Sequence, residues 1–265
     1  MKKNIMFFCV AFSLLLTSCD LLEKFPAYEN EKMYHVIEKD GETFTDDIKK
    51  IDVSWVSGNI TITSSKSYTE LTVIEKVADF YDDEFLCHIY SANDFLNIKY
   101  CHSNISLIKN LNKDLFIYIP ESMALDELII KNVSSAVSIA SINCKKVEIE
   151  SVSGDVSLNK INAEDLLFDS VSSSFTATLL PQTKNIEIDQ VSGDVLLTMP
   201  KDNEGFVLEF DSISGDLISD FDTRRIDGKI VCGSLQTAQL DIEFSSVSGD
   251  LSLLKYVSKE MKLWL

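Results

Sequence analysis

Four aspartates close the same short turn. Val-Ser-Gly-Asp stands at 152–155, 191–194 and 247–250 and Ile-Ser-Gly-Asp at 213–216, which gives Asp155, Asp194, Asp216 and Asp250 one equivalent place. If such turns stack ~4.8 Å apart, neighbouring carboxylates repel by about 1 kcal/mol in water, and by several times that at a protein-like effective dielectric. A bound calcium ion would relieve that edge, because carboxylate oxygens are its natural ligands. The plainer chemistry is that each Asp caps its own turn while water and salt screen the rest. The absence of the doubled-glycine nonapeptide of calcium-binding repeats favours this second reading. A serine column, Ser57, Ser134, Ser153, Ser172, Ser192, Ser214 and Ser248, precedes the same turns and suits a hydroxyl ladder on corner backbone groups.

Other reactive residues are few. Cys87-His88 and Cys101-His102 have the look of a metal site. Adjacent strand residues point to opposite faces, however, so Cys and His of one dipeptide do not readily share an ion. Cys87, Cys101, Cys144 and Cys232 are either disulfide-bonded in an exported protein or buried free thiols. The two arginines, Arg224 and Arg225, are adjacent, and with three histidines (His35, His88, His102) the catalytic repertoire is thin. No Ser/His/Asp frame, phosphate-binding glycine loop or metal-hydrolase spacing is present. A polysaccharide-active enzyme would need a cation beside carboxylates in a groove, and Arg224-Arg225 is the one pair of that kind.

The elements that carry these residues come from a repeat. Degenerate copies at Val56, Val133 and Val171 join the four above, so seven copies start at 56, 133, 152, 171, 191, 213 and 247. The middle five recur at about twenty residues. Five and three positions before each copy, every residue is apolar (Ile51 and Val53 in the first copy, Ile242 and Phe244 in the last). Four and six positions after, only Ala177 and Ser219 are weak. This alternation marks two half-buried strands, with a corner at Ser-Gly-Asp between inward Val147, Ile149 and Val152 and inward Val156 and Leu158. A twenty-residue unit buries its apolar face only by stacking, each like position above its predecessor, so the fold class is an all-β solenoid. An antiparallel β-sandwich is the alternative. Leu71–Ile74, Phe95–Ile98 and Leu115–Ile119, ended by Pro120, read as strands of N-terminal coils or a cap; 226–230 reads as a reshaped turn, and Leu263-Trp264-Leu265 as a cover for the last coil.

The chain has 265 residues and a formal charge of −18. That acidic balance, with sparse Arg, excludes a nucleic-acid binder and disfavours anionic lipid surfaces. Lys2-Lys3 followed by an apolar stretch over 5–16 and Leu16-Thr17-Ser18-Cys19 has the form of a bacterial lipoprotein signal. Residues 1–18 are then a signal peptide, Cys19 the lipidation site, 19–45 a tether and 46–265 the solenoid domain, with N-terminal acyl chains holding the protein on the envelope membrane.

The Val-Ser-Gly-Asp turns, the strand ending at Pro120 and the Gly228-Lys229-Ile230…Gly233 run together resemble the putative-adhesin domain of bacterial envelope proteins over residues 45–255. The resemblance implies a β-solenoid displayed at the cell envelope and carries over no catalytic residues. The expected function is a non-catalytic interaction surface for a protein or glycan ligand. An envelope-stress scaffold is the alternative class and a polysaccharide-active enzyme the third.

Overall fold

The computed structural model describes residues 25–77, 82–106, 111, 113–201, 205–235 and 238–256. Cys19, the expected signal peptide and Leu263-Trp264-Leu265 lie outside them. The described chain is all-β, with two 3-10 turns at Glu31–Met33 and Asp83–Phe85.

Two sheets face each other, and each coil contributes one strand to each. In spatial order the paired strands are Phe95–Lys99 with Lys113–Pro120, Lys50–Trp55 with Gly58–Ser65, and Leu125–Asn132 with Ala136–Ala140. Asn143–Ser153 then leads into the long strand Val156–Ser172, which crosses from the second sheet to the first, followed by Phe175–Leu179. Asn185–Ser192 with Val195–Pro200, Leu240–Ser248 with Leu251–Tyr256, and Phe206–Ser212 with Leu217–Ser219 complete the stack. All pairings along this stack are parallel. Parallel stacking of successive coils is the solenoid, and it excludes the sandwich.

The apolar columns are in register. Ile98, Val53, Ile130, Ile149, Phe168, Ile188, Phe244 and Phe210 lie side by side in the first sheet. Leu115, Ile60, Val137, Val156, Phe175, Val195, Leu251 and Leu217 do so in the second. Nearly all of these are buried, and each is worth ~1.5–3 kcal/mol against exposure. Phe168 and Phe175 stack across the core with ring centroids 4.4 Å apart, beside the small Ala177.

Three expectations change. Copies five and six do not stack on each other, and the coil beyond copy one is built from a later stretch of chain, 95–120. Leu240–Tyr256 inserts between the coils of copies five and six, and Lys50–Ser65 lies between the 95–120 coil and copy two. The long gap after copy one is the chain that builds the outer 95–120 coil, and the gap after copy six is the chain that forms the 223–232 hairpin and returns to insert copy seven. Second, residues from 25 to 44, expected as part of a tether, pack on the body: Phe25, Ile37 and Phe44 are buried, His35–Val36 pairs with His88–Ala92, and Glu42–Phe44 pairs with Leu71–Val77. Third, residues 223–232 form an antiparallel hairpin, Thr223–Ile226 with Lys229–Cys232, rather than a reshaped repeat turn. Asp227 and Gly228 both have positive φ (49° and 85°) at its tip, the conformation that a tight hairpin demands.

Candidate functional site

The corner decides what each face presents. Inward parity continues one residue further than the sequence suggests, so the residue before the motif is buried: Trp55, Asn132, Ser151, Ser170, Gln190 and Ser246. The motif valine, expected inside, is half-exposed, and Ile213 is 80% exposed. Asn132 ties the corner together, donating to the Ser135 carbonyl at 2.7 Å and to Ser151 Oγ at 3.1 Å.

Glycine is required here by close approach. A Cβ on Gly193, whose φ is +125°, would stand 2.1 Å from the Ser173 carbonyl oxygen of the neighbouring coil. Copies two and four carry Ser135 and Ser173 at this place, both buried, and each supplies the carbonyl over which the next coil's glycine fits. Their departure from the motif therefore complements it.

The serine column forms the expected ladder. Ser134, Ser153 and Ser192 donate their hydroxyls to the carbonyls of Val56, Val133 and Val171 on the preceding coil, at 2.9, 3.2 and 3.3 Å. The aspartates cap a neighbour's turn rather than their own. Asp194 Oδ1 accepts from the Asp250 amide at 3.1 Å, Asp250 Oδ1 from the Asp216 amide at 2.8 Å, and Asp114 Oδ1 from the Asn59 amide at 3.1 Å. Asp155 lies on the same edge, two coils from Asp194 with Ser174 between. Among the described residues no group of three or more His, Cys, Asp or Glu is placed to hold a metal ion.

The Cys-His dipeptides meet at the N-terminal end. Cys87 and Cys101 turn into the core as free thiols, and burial holds both well above the usual thiol range, Cys101 at about 12. Cys144 is also free and is pushed to about 12 by burial, and Cys232 is free and half-buried. The imidazoles of His88 and His102 approach to 5.3 Å between ring centroids, with Glu31 accepting from His102 at 2.9 Å. Burial keeps His88 below the usual imidazole range.

Beside them lies a buried group that the repeat pattern does not reveal. Lys113 takes the glycine position of the first coil and is fully buried. Its Nζ is 2.6 Å from Glu75 Oε1, donates to the Phe85 and Tyr100 carbonyls, and lies over the Trp55 and Tyr100 rings. A complete ring of partners is what makes such a buried charge tolerable.

Arg224 and Arg225 stand on the terminal hairpin, lining an open cleft of about 520 Å³ with Phe210, Asp216 and Leu217. Arg224 donates to the Gly233 carbonyl at 3.0 Å. The structure thus brings the arginine pair to one carboxylate of the repeat.

The two outer faces differ in kind. That of the first sheet is charged: Lys50, Glu127 and Lys146 alternate along it in ion pairs of 3.6 and 3.5 Å. Towards the other end, Glu148, Glu150, Asp169, Glu187, Asp189 and Glu243 crowd together. Burial, then repulsion from Asp189, Glu150, Glu187 and Glu148, pushes Asp169 up to about 7, and burial with Asp189 and Glu243 raises Glu187. The second sheet, from Lys113–Pro120 to Leu251–Tyr256, turns outward over its middle Phe116, Tyr118, Thr61, Thr63, Ser138, Ala140, Ser157, Asn159, Thr176, Thr178, Leu196, Thr198, Ser252 and Leu254, with no charge among them, while Asp114, Asp155, Asp194 and Asp250 line the corner beside them.

A model of the Toastrack DUF4097 family matches residues 44–254, which is most of the chain and all of its stacked coils. The chain belongs to that family. This Toastrack chain is also similar to solved structures titled a "putative cell adhesion protein" from Clostridium sporogenes and a "putative adhesin" from Bacteroides fragilis. The first is 14% identical, with 84% of this chain and 98% of that one covered at a TM-score of 0.48. The second is 14% identical, with 80% and 95% covered at 0.37. A "putative adhesin" from Parabacteroides distasonis is 13% identical, with 83% and 97% covered at 0.32. No curated protein matches the chain.

Proposed function

We propose that this Toastrack chain is a non-catalytic interaction module of the bacterial cell envelope, adhesin-like, held to the membrane by acyl chains on Cys19. The observation that carries the reading is the split of the rod into two flat, chemically distinct outer faces over one filled apolar core. Such a body is built to present surface rather than to enclose a substrate, and its charge, −18 before processing, suits an extracytoplasmic protein that avoids nucleic acid. No described helix is long and apolar enough to cross a membrane; the anchor in this reading is the expected lipid on Cys19.

Two measurements test it. Cells displaying the chain should adhere to immobilised glycans or matrix proteins, and cells lacking it should not. Cys19→Ala should move the protein from the membrane fraction to the soluble one. Turnover of a polysaccharide that is abolished by Arg224→Ala would replace this reading with an enzymatic one at the hairpin cleft.

A further inference from the structure

We propose that the outer face of the second sheet is the binding surface, and that its ligand is an uncharged linear glycan. This rests on the interaction-module reading and names the face and the ligand chemistry. On a chain with 42 acidic and 24 basic residues, charge is the default surface, yet the two outward columns over the middle of this sheet, 61/138/157/176/196/252 and 63/140/159/178/198/254, hold none, the aspartates Asp114, Asp155, Asp194 and Asp250 standing in a separate row at the corner. What they hold is mainly hydroxyl and amide: Thr61, Thr63, Ser138, Ser157, Asn159, Thr176, Thr178, Thr198 and Ser252.

Among the described residues these side chains make no hydrogen bond to the protein, and Ser138, Ser157, Asn159 and Thr176 are exposed. Each hydroxyl both donates and accepts, which matches a ligand made of hydroxyls and wastes nothing on a fixed charge. The backbone beneath is fully engaged in parallel pairing, so an added β-strand has no edge to join along this face. Coils repeat every ~4.8 Å, so a linear polymer lying along the stack meets the same pair of side-chain columns again and again.

One end of the face supplies a second kind of contact. Tyr68 and Tyr118 pack at 4.9 Å between ring centroids, and Phe116 stacks beside Tyr118 at 6.3 Å. All three are half-buried, and Lys76 Nζ lies 4.8 Å from the Phe116 ring centroid, which leaves Tyr68 and Tyr118 as the rings offered to a ligand. Half-exposed aromatic rings give the C–H face of a sugar ring an apolar surface while leaving its hydroxyls free to hydrogen-bond. A protein partner would be expected to seat instead on a desolvated apolar or arginine-bearing centre, which the middle of this face lacks.

The test uses the full chain in detergent micelles, titrated with glucose hexamers (β-1,4 and β-1,3), a mannose hexamer and an N-acetylglucosamine hexamer, and with a galacturonate hexamer as charged control. At least one neutral hexamer should bind saturably, and the galacturonate at least tenfold more weakly. Ser157→Asp with Thr176→Asp, both at exposed positions, should weaken binding tenfold or more without changing the unfolding midpoint. Tyr118→Ala should weaken it several-fold, and Glu187→Gln with Glu243→Gln on the opposite face should leave it unchanged. No saturable binding of any neutral hexamer, or binding that survives the aspartate pair, overturns the proposal. If the displaying cells still adhere to matrix protein in that case, the module reading survives without the glycan face. If they adhere to nothing, both fail.

Discussion

The outer face of the first sheet and that of the second arise from the same twenty-residue unit, a few positions either side of one corner. Parallel in-register stacking places like positions ~4.8 Å apart, so whatever one coil carries is multiplied along the rod. On the first sheet that rule sets charge against charge. Near the N-terminal end Lys50, Glu127 and Lys146 alternate in one column and neutralise one another, whereas farther along Asp169 stands in register between Glu150 and Asp189 and holds its proton to about pH 7. On the second sheet, columns of Ser, Thr and Asn stack without electrostatic cost. A solenoid can therefore repeat hydroxyls indefinitely, but it can repeat carboxylates only where water, salt or a cation screens them.

The largest effects should come from beneath both faces, where the comparison would break if the two were not one cooperative body. Lys113→Ala strands Glu75 in the core and should cost about 3–5 kcal/mol, lowering the urea midpoint of the whole rod in a single transition. Two separate transitions would mean that the faces belong to independent units. Gly193→Ala should cost about 3 kcal/mol, since the added Cβ meets a backbone carbonyl and the φ is unfavourable. Gly228→Ala, with positive φ but nothing within 4 Å, should cost about 1 kcal/mol in the same assay. Equal losses would show that strain, not close approach of coils, fixes the corner glycine.

The charged face is sharpened by pH. Asp169 titrates near 7 when folded against 3.8 when unfolded, so the folded chain keeps a proton that the unfolded chain releases. Stability should fall as pH rises from about 4 through 7 and then level off. Asp169→Asn should stabilise by about 1 kcal/mol at pH 8, after discounting for its partial exposure, and by nothing at pH 3. The same gain at both pH values would put the effect down to packing rather than charge. The smallest effect belongs to the neutral face: Thr178→Val should change the unfolding free energy by less than about 0.5 kcal/mol. A cost above 1 kcal/mol would give that hydroxyl column a structural role.

Much of this architecture is legible in single residues. The columns headed by Ile51, Val53, Ile60 and Ile62 announce two strands and a corner, because alternation at fixed offsets survives even where the motif decays. The serine ladder follows from the same columns. Other features left no comparable trace. Ser151 replaces Val152 as the inward residue because the corner begins one position later than the turn motif suggests. Asp194 caps Asp250's amide, fifty-six residues away, because their coils are spatial neighbours. Lys113 and Glu75 look like ordinary surface charges in a linear reading, and nothing in their neighbours marks them as buried partners.

The sequence by itself determined the repeat unit, the all-β class, the apolar columns and the acidic character, since each is a local pattern that any stacked arrangement must satisfy. It also contained both outer faces, as residue types at fixed offsets from the corner. Only the tertiary structure decided the order of the coils, with the last copy inserted before the sixth and the first placed inside the 95–120 coil. It alone decided the depth of the N-terminal segment's packing and the pairing of Lys113 with Glu75. The physical reason is that any coil offers the same register to any other, so periodicity specifies how coils fit while long-range packing at the two ends specifies which coils meet.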